Sequence, residues 1–359
     1  MKKSKKKLKT LRSHIDLLDK KIVALLNERA RESLSIGLYK KKDGKKTYSP
    51  DREQEVLKKI KNVNKGPLVQ ESLEAVYREI MSGSLSLNND IKVSYLGPKA
   101  TFTHQAAIKR FGSQVEFVPC ESIKDVFSEV ERDNCSYGVV PIENSTEGAV
   151  NHTLDMFVDS DLKICSQVQL GISHNLLSKT NLKNIKRIYS NPYVFAQCRR
   201  WLDSNLYKVE YIDVSSTTRA ADIASRESKS ACIASILAAK EYNLKVLAKD
   251  IEDSPHNYTR FLIVGNQSVP QTGADKTSIL FSIKDRTGAL HDMLVPFKKH
   301  KINLTKIESR PSKKKAWDYY FFVDFKGHLQ EKKIRKALGE LETSCKFLKV
   351  LGSYPEQIK

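Results

Sequence analysis

From Leu8 the apolar residues Leu11, Ile15, Leu18, Ile22 and Leu25 return at alternating steps of three and four, the seam of a long helix packed on other helices. The pattern predicts that this helix reaches Lys40. The polar stretch 41–50 carries Asp43-Gly44 and closes on Ser49-Pro50, which predicts a loop and a new helix start. A second helix is expected to about Asn62, broken by Gly66-Pro67. A third, marked by Leu73, Val76, Ile80 and Leu87, is expected to end near Asn88-Asn89-Asp90. Three helices, one of them very long, cannot bury such a seam alone, so an intertwined homodimer is expected.

After Asp90 short β-rich runs alternate with stretches of helical length. Strands are predicted near 92–96, 116–119, 137–142, 185–190, 208–212, 231–234 and 261–264, with helices near 103–111, 122–131 and 195–205. The alternation predicts an α/β domain of two lobes and mostly parallel sheets, with a cleft between the lobes where such sheets place ligands. A loop at 268–276 with Pro270 and Gly273 opens a third section. There the expected order is βαββαβ, a ferredoxin-like module: strands at 277–284, 302–308, 317–325 and 346–351, helices at 289–300 and 331–342. The chain thus reads as multidomain, all-α over 1–90, two-lobed α/β over 91–267 and ferredoxin-like over 275–359.

The length agrees: 359 residues at roughly 150 per domain give two to three domains. No apolar run has membrane-spanning length, and the Lys-rich start leads into a charged segment, so a cytoplasmic protein with no membrane partner is expected. Six scattered cysteines without a C-x-x-C pair fit a reducing compartment and suggest no zinc site. Formal charge is +20, and residues 1–90 hold 22 Lys and Arg against 12 Asp and Glu, half of that excess. Six lysines among the first nine residues read as a solvated basic tail. Polyanions are therefore the class of partner: nucleic acid, anionic lipid or a small polyanionic substrate.

On the first helix Arg29 and Lys40 are eleven residues apart, which at 100° per residue leaves about 20° between them and a Cα separation of roughly 16 Å. Two long cations on one face suit a small anion, or simply a solvated face. Arg12 points about 100° away from Arg29 and joins the same pocket only from another protomer. The run LRSHIDLLDKKIVALLNERA, with Gly37, Lys40 and the DRE at Asp51–Glu53, resembles the all-helical class of chorismate mutases over residues 8–88. The resemblance implies rearrangement of chorismate to prephenate, with Arg12 (from the partner chain) and Arg29 gripping carboxylates. Lys40 would meet the ether oxygen, Arg52 and Glu53 would line the pocket, and Ser84 would add a polar contact. Such a pericyclic step needs no base or nucleophile, only a compact conformer and cations where charge builds on the breaking bond. Asn88 stands where the family usually has Gln or Glu, and Ser49 where an Asp is common.

The middle section is richer. YLGPKATFTHQAA from Tyr95, VVPIENSTEGAVN from Val139, SNPYVFAQC from Ser190, SSTT at Ser215–Thr218 and NYTRFLIVG from Asn257 place hydroxyl and amide side chains after strands or beside helix starts. There they cap helices or meet anions. In this order the motifs resemble prephenate dehydratase over residues 92–265. The resemblance makes Thr259 the catalytic candidate, a hydrogen-bond donor to the ring hydroxyl that departs with carbon dioxide. Arg260 would hold a carboxylate bidentately. Asn144, Ser145, Ser190, Gln197, Ser216 and Thr217 would shape the pocket, with Glu143 and Thr101 beside them. Asn191 replaces a frequent His, and Ala100 a frequent Gly. His104, His152 and His174 lack ligand spacing and read as polar surface or loop packing; Cys198 reads as a small buried thiol.

Finally, TGALHDML from Thr287 and INLTKIESRP from Ile302 resemble the ACT regulatory domain that accompanies these dehydratases. The resemblance implies phenylalanine as effector, met by Gly288, Ala289 and Leu290 and by Glu308, Ser309, Arg310 and Pro311. Read from the residues alone, Gly288 is equally a helix cap. Together the sections imply a bifunctional enzyme of phenylalanine biosynthesis that takes chorismate through prephenate to phenylpyruvate, with no metal, nucleotide or other cofactor. A homodimer or homotetramer without nucleic-acid partners is expected. Two alternatives stand beside it: a monofunctional dehydratase whose helical domain only dimerises, and a basic amino-acid-sensing regulator that binds nucleic acid.

Overall fold

A computed structural model describes residues 2–43, 49–87, 91–283, 286–311 and 319–356, with side chains from residue 7 onward. Two compact units emerge: residues 1–49, 55–91 and 111–116 form the first, and residues 50–54, 92–110 and 117–359 form the second.

The first unit is helical: α1 (Lys2–Lys42), α2 (Pro50–Val63) and α3 (Gln70–Ser86). Helix α1 ends on Lys40, Lys41 and Lys42, where the helix dipole favours cations. Pro50 at the first position and Asp51 and Glu53 in the first turn account for the start of α2. The expected third-helix end at Asn88–Asp90 lies outside the described residues. Residues 111–116 pack on α3 through Gly112 at φ +74°, where a Cβ would sit 2.4 Å from that of Ser82. Only glycine fits such a conformation at such a distance. The seam of α1 is uncovered in the single chain: Leu8, Leu11, Ile15, Leu18, Ile22 and Leu25 are 43% to 63% exposed.

In the second unit the chain first lays down β1 (Lys92–Leu96), α4 (Phe102–Phe111), β2 (Glu116–Cys120), α5 (Ile123–Glu131), β3 (Tyr137–Asn144), β4 (Gly148–Ala149), α6 (Asn151–Asp159) and β5 (Lys163–Gly171). A second lobe follows with β6 (Asn175–Ser178), β7 (Arg187–Ser190), α7 (Pro192–Gln197), α8 (Arg199–Asn205), β8 (Glu210–Asp213), α9 (Thr217–Arg226), β9 (Ser230–Ala234), α10 (Ile236–Glu241) and β10 (Lys245–Ala248). Strand β11 (Tyr258–Gly265) then returns to the first sheet, whose order is β2-β1-β3-β11-β5 with β4 on β3; the second sheet runs β10-β6-β9-β7-β8. The expectation of mostly parallel sheets is corrected. β11 inserts antiparallel to both β3 and β5, and β6 is antiparallel to β9 and β10. Local strand patterns mark where strands lie but not the direction in which each enters its sheet.

The third section folds in the expected order: β12 (Asp275–Ile283), α11 (Ala289–Lys299), β13 (Leu304–Pro311), β14 (Tyr319–Lys326), α12 (Lys332–Ser344) and β15 (Cys345–Pro355), with sheet order β13-β14-β12-β15. It shares an apolar core with the first lobe, where Ile142, Ile164 and Leu262 cluster with Leu280, Phe322 and Leu351. Gly352 seals this join, since a Cβ there would lie 2.3 Å from the carbonyl oxygen of Ile164 on β5. Among the described residues no helix is long and apolar enough to cross a membrane. All six cysteines are free thiols, and Cys198 is buried as expected.

Candidate active sites

On the helical unit the structure brings together two pairs that the sequence separates. Arg29 donates from Nη1 to Ser84 Oγ at 3.0 Å, and Ser84 in turn donates to the carbonyl of Ile80 on its own helix. Lys40 Nζ donates to Ser49 Oγ at 2.6 Å, so the serine that replaces an acid still gives this ammonium an acceptor. Arg12 is exposed on α1, and Asn88 lies outside the described residues. Arg52 and Glu53 occupy the first turn of α2, in the segment that belongs with the second unit. Arg52 is exposed, while Glu53 pairs with Arg110 at 2.6 Å. The half-buried carboxylate of Glu53 thus meets an arginine of α4.

The second site forms where the two lobes of the α/β domain meet. Strands β3 and β11 run side by side with Thr259 opposite Asn144. Asn144 Nδ2 donates to Thr259 Oγ1 at 2.7 Å and to Asn257 Oδ1 at 2.9 Å. Its own oxygen accepts from Thr146 N at 2.9 Å, Thr146 Oγ1 at 2.5 Å and Glu147 N at 3.1 Å, which fixes the amide in this orientation. An acceptor already engaged by Asn144 leaves the proton of the Thr259 hydroxyl for something else. Thr259 is 7% exposed, so that hydroxyl acts in a low-dielectric place where one hydrogen bond is strong.

Behind this pair the chain of bonds continues into the second lobe. Asn257 Nδ2 donates to Gln197 Oε1 at 3.3 Å, and the same oxygen lies 2.9 Å from His174 Nε2. Gln197 Nε2 reaches Glu147 at 3.4 Å. With Gln197 Oε1 serving as acceptor, His174 carries its proton on Nε2. Burial holds the His174 pKa below the usual imidazole value, so the ring is neutral at pH 7 and acts as a donor without charge. His174 is 2% exposed in the crossing between lobes, so of polar surface and loop packing it is the packed one. Asn257 and His174 were missed as site residues. For Asn257 a signal existed, because it stands two residues before Thr259 and side chains two apart on a strand share a face. For His174 none did, since it stands in a loop and its partner Gln197 lies 23 residues on, at the end of α7.

Several other candidates turn out to hold the backbone. Ser145 Oγ bridges His256 O and Tyr258 N at 3.0 and 2.9 Å. Ser190 is fully buried and donates to the carbonyl of Ile233. Ser216 caps α9 by accepting from Arg219 N, with Thr217 half-buried in the first position of that helix. Thr101 donates to the carbonyl of Leu96 and accepts from His104 N. Asn191, in the place of a frequent His, caps α7 and donates to Ser215 O at 3.2 Å.

Two substrate candidates are placed elsewhere. Arg260 does not join Thr259: its guanidinium lies on the opposite face of β11, with Nη1 2.5 Å from Asp324 and Nη2 2.8 Å from Tyr354. Glu143 likewise meets Lys306 at 3.0 Å. Adjacent residues of a strand point to opposite faces, so a motif read as one cluster is divided between two. In the third section Gly288 caps α11 at φ +77°, Ala289 is buried and Leu290 is 42% exposed. Glu308, Ser309, Arg310 and Pro311 lie on β13 with Glu308 and Arg310 on its half-buried face, and Arg310 pairs with Asp155 of α6 at 3.0 Å. Its Nη2 donates to both carboxylate oxygens of Asp155 in the first lobe.

Comparison with known proteins follows the same three sections. Family models match for chorismate mutase type II over residues 11–89, prephenate dehydratase over 93–269 and the ACT domain over 277–343. The chain is 51% identical over 356 residues to a bifunctional chorismate mutase/prephenate dehydratase of Aquifex aeolicus, covering 98% of each chain. It is 49% identical over 358 residues to the enzyme of the same description from Pseudomonas aeruginosa, again covering 98% of each. Among solved structures, a prephenate dehydratase from Arthrobacter aurescens in complex with L-Phe is similar with a TM-score of 0.69 at 33% identity, covering 74% of this chain and 90% of that one.

Proposed function

The chain belongs to the bifunctional chorismate mutase/prephenate dehydratases, and from that premise we propose which of its residues perform each step. It rearranges chorismate to prephenate and converts prephenate to phenylpyruvate. For the first step Arg29, with Ser84 at its fork, holds a carboxylate, and Lys40 lies where negative charge builds on the ether oxygen. Arg12 of the partner chain closes the pocket, Arg52 lies at its edge, and Asn88 takes the place of the longer amide of relatives. For the second step Thr259 donates its hydroxyl proton's hydrogen bond to the departing ring hydroxyl. As carbon dioxide leaves, its bonding electrons enter the ring and expel that hydroxyl, which takes up a proton and departs as water. Asn144 orients Thr259, while Gln197, Asn257 and Thr217 line the side facing the second lobe. The observation that carries this reading is the bond from Asn144 to Thr259, which makes the threonine a donor.

The defining experiment supplies chorismate alone at neutral pH and follows chorismate, prephenate and phenylpyruvate by chromatography. Phenylpyruvate well above a no-enzyme control is expected. Untouched chorismate from a protein that still dehydrates supplied prephenate would reduce the helical unit to a scaffold.

The same premise supports phenylalanine as effector of the C-terminal module, met by Gly288, Ala289, Leu290, Glu308, Ser309, Arg310 and Pro311, in a cytoplasmic enzyme with domains at 1–90, 91–267 and 275–359. We also read the uncovered seam of α1 as the contact of a homodimer, or of a homotetramer built from it. Covering a large aliphatic side chain is worth about 1.5–3 kcal/mol, so six exposed ones in register are a strong drive to associate. Replacing Ile15 and Ile22 by Asp is expected to yield monomers in sedimentation velocity with the mutase lost. A double variant that sediments like the parent and rearranges chorismate normally would exclude this interface.

A further inference from the structure

Strands β3 and β11 show a second face. Opposite the Asn144–Thr259 pair, the next ladder position sets Glu143 against Arg260, and both side chains point to the C-terminal sheet. Arg260 uses its whole fork there: Nε donates to Gln167 on β5 at 2.8 Å, Nη1 to Asp324 on β14 at 2.5 Å and Nη2 to Tyr354 on β15 at 2.8 Å. Ser278 on β12 donates to the other oxygen of Asp324 at 2.5 Å and lies 2.6 Å from Tyr354 Oη. Glu143 is bound by Lys306 of β13, two residues before the Glu308–Pro311 signature, and Arg310 within that signature holds Asp155. Strands β13, β14 and β15 therefore reach either the two strands that carry the dehydratase residues or the helix beside them, and β12 braces Asp324 and Tyr354 through Ser278.

Irregular strands and a cavity flank this firmly held contact. The ladder shifts register between Arg260 and Phe261 on β11, and again between Leu304 and Lys306 on β13, so each strand is irregular where it bears the contact. Such irregularities re-aim side chains and concentrate near active sites. A cavity of about 330 Å³, lined by Glu143, Gln167, Arg260, Lys276, Thr305 and Lys306 among others, opens at the same place. The Arg260–Asp324 pair, only 15% and 10% exposed, resists separation because parting it would strand a charge out of water. Movement of β13 or β14 is thus passed to β11 and β3.

We propose that Arg260 and Glu143 are positioning residues through which the C-terminal module sets how Thr259 and Asn144 meet the substrate. The proposal rests on the reading of Thr259 as the dehydratase donor, and places the coupling of phenylalanine to dehydration in the two ion pairs Arg260–Asp324 and Glu143–Lys306. Phenylalanine that shifts β13 pulls on Glu143 and, through β14, on Arg260. Each is the chain neighbour of a site residue.

The test uses the full chain and four variants, Arg260→Gln, Arg260→Lys, Asp324→Asn and the Arg260→Gln/Asp324→Asn double. Dehydratase kcat and KM, the phenylalanine concentration at half effect, and mutase turnover are read from one preparation. Arg260→Gln and Asp324→Asn are each expected to shift kcat or the phenylalanine midpoint about 3- to 30-fold with KM little changed, and to leave mutase turnover alone. The double is expected to be no worse than the more affected single, and Arg260→Lys to recover part of the loss. Additive singles, or singles with parental kcat and midpoint, would overturn the proposal. Should Asp324→Asn not fold, Glu143→Gln and Lys306→Gln read the same coupling, and parental midpoints in both overturn it. An active Thr259→Ala enzyme would instead remove the site reading, while the phenylalanine response of the Arg260 and Asp324 variants still reports on the coupling.

Discussion

Thr259→Ala is expected to lower dehydratase turnover by at least about 10²-fold while chorismate is still consumed at the parental rate. The argument is local. Asn144 donates to Thr259 and is itself fixed by three donors to its oxygen, so the threonine proton is the one hydrogen in this pair left to meet the departing hydroxyl. Alanine removes that proton and leaves a buried amide N–H without its acceptor, costing about 1–3 kcal/mol of stability, so the thermal transition is followed alongside. Thr259→Ser keeps the hydroxyl and should retain measurable turnover. Phenylpyruvate release from supplied prephenate decides the matter, with the thermal transition as control. Parental release from the alanine variant would remove Thr259 from the mechanism, and equal loss of both activities would show that the two sites are not separate.

The second large effect falls on the other unit. Arg29→Ala is expected to slow chorismate rearrangement by about 10²- to 10³-fold, the loss seen when one preorganised donor to a charged transition state is removed. Arg29 is held by Ser84 rather than left to swing in solvent, so its charge is in place before substrate arrives. Supplied prephenate should still be dehydrated normally by the same preparation. Mutase turnover close to the parent would mean that Arg29 is part of a solvated face, the plainer reading of cations on an amphipathic helix.

Much of this was legible beforehand. The helical seam, the βαββαβ order and the family motifs are local or nearly local patterns, and the predicted elements fell within a few residues of their places, while α6, α9, α10, β5, β6 and β10 were not among them. Thr259 and Asn144 were legible as candidates, because each stands in a motif of its own. What their relation is was not. The bond that turns Thr259 into a donor joins residues 115 positions apart, and the direction of that bond follows from Thr146 and Glu147 holding the other end of the amide. Arg260 and Glu143 were misread for a single reason: proximity along the chain was taken as proximity in the site, whereas strand geometry sends neighbours to opposite faces. Glu53 and Arg310 show the same limit, each meeting a charge that belongs to a distant element.

By itself the sequence determined the class of the protein: three modules in order, the two reactions they perform, and the residue types each reaction needs. The modules follow from periodicity, and the reactions from the resemblance of local motifs to known families. The tertiary structure alone decided the division of labour inside those motifs. β11 inserts between β3 and β5, which sets Thr259 beside Asn144 on one face and Arg260 beside Asp324 on the other. Periodicity states how often a side chain returns to a face, but only the packed strands determine what each face meets.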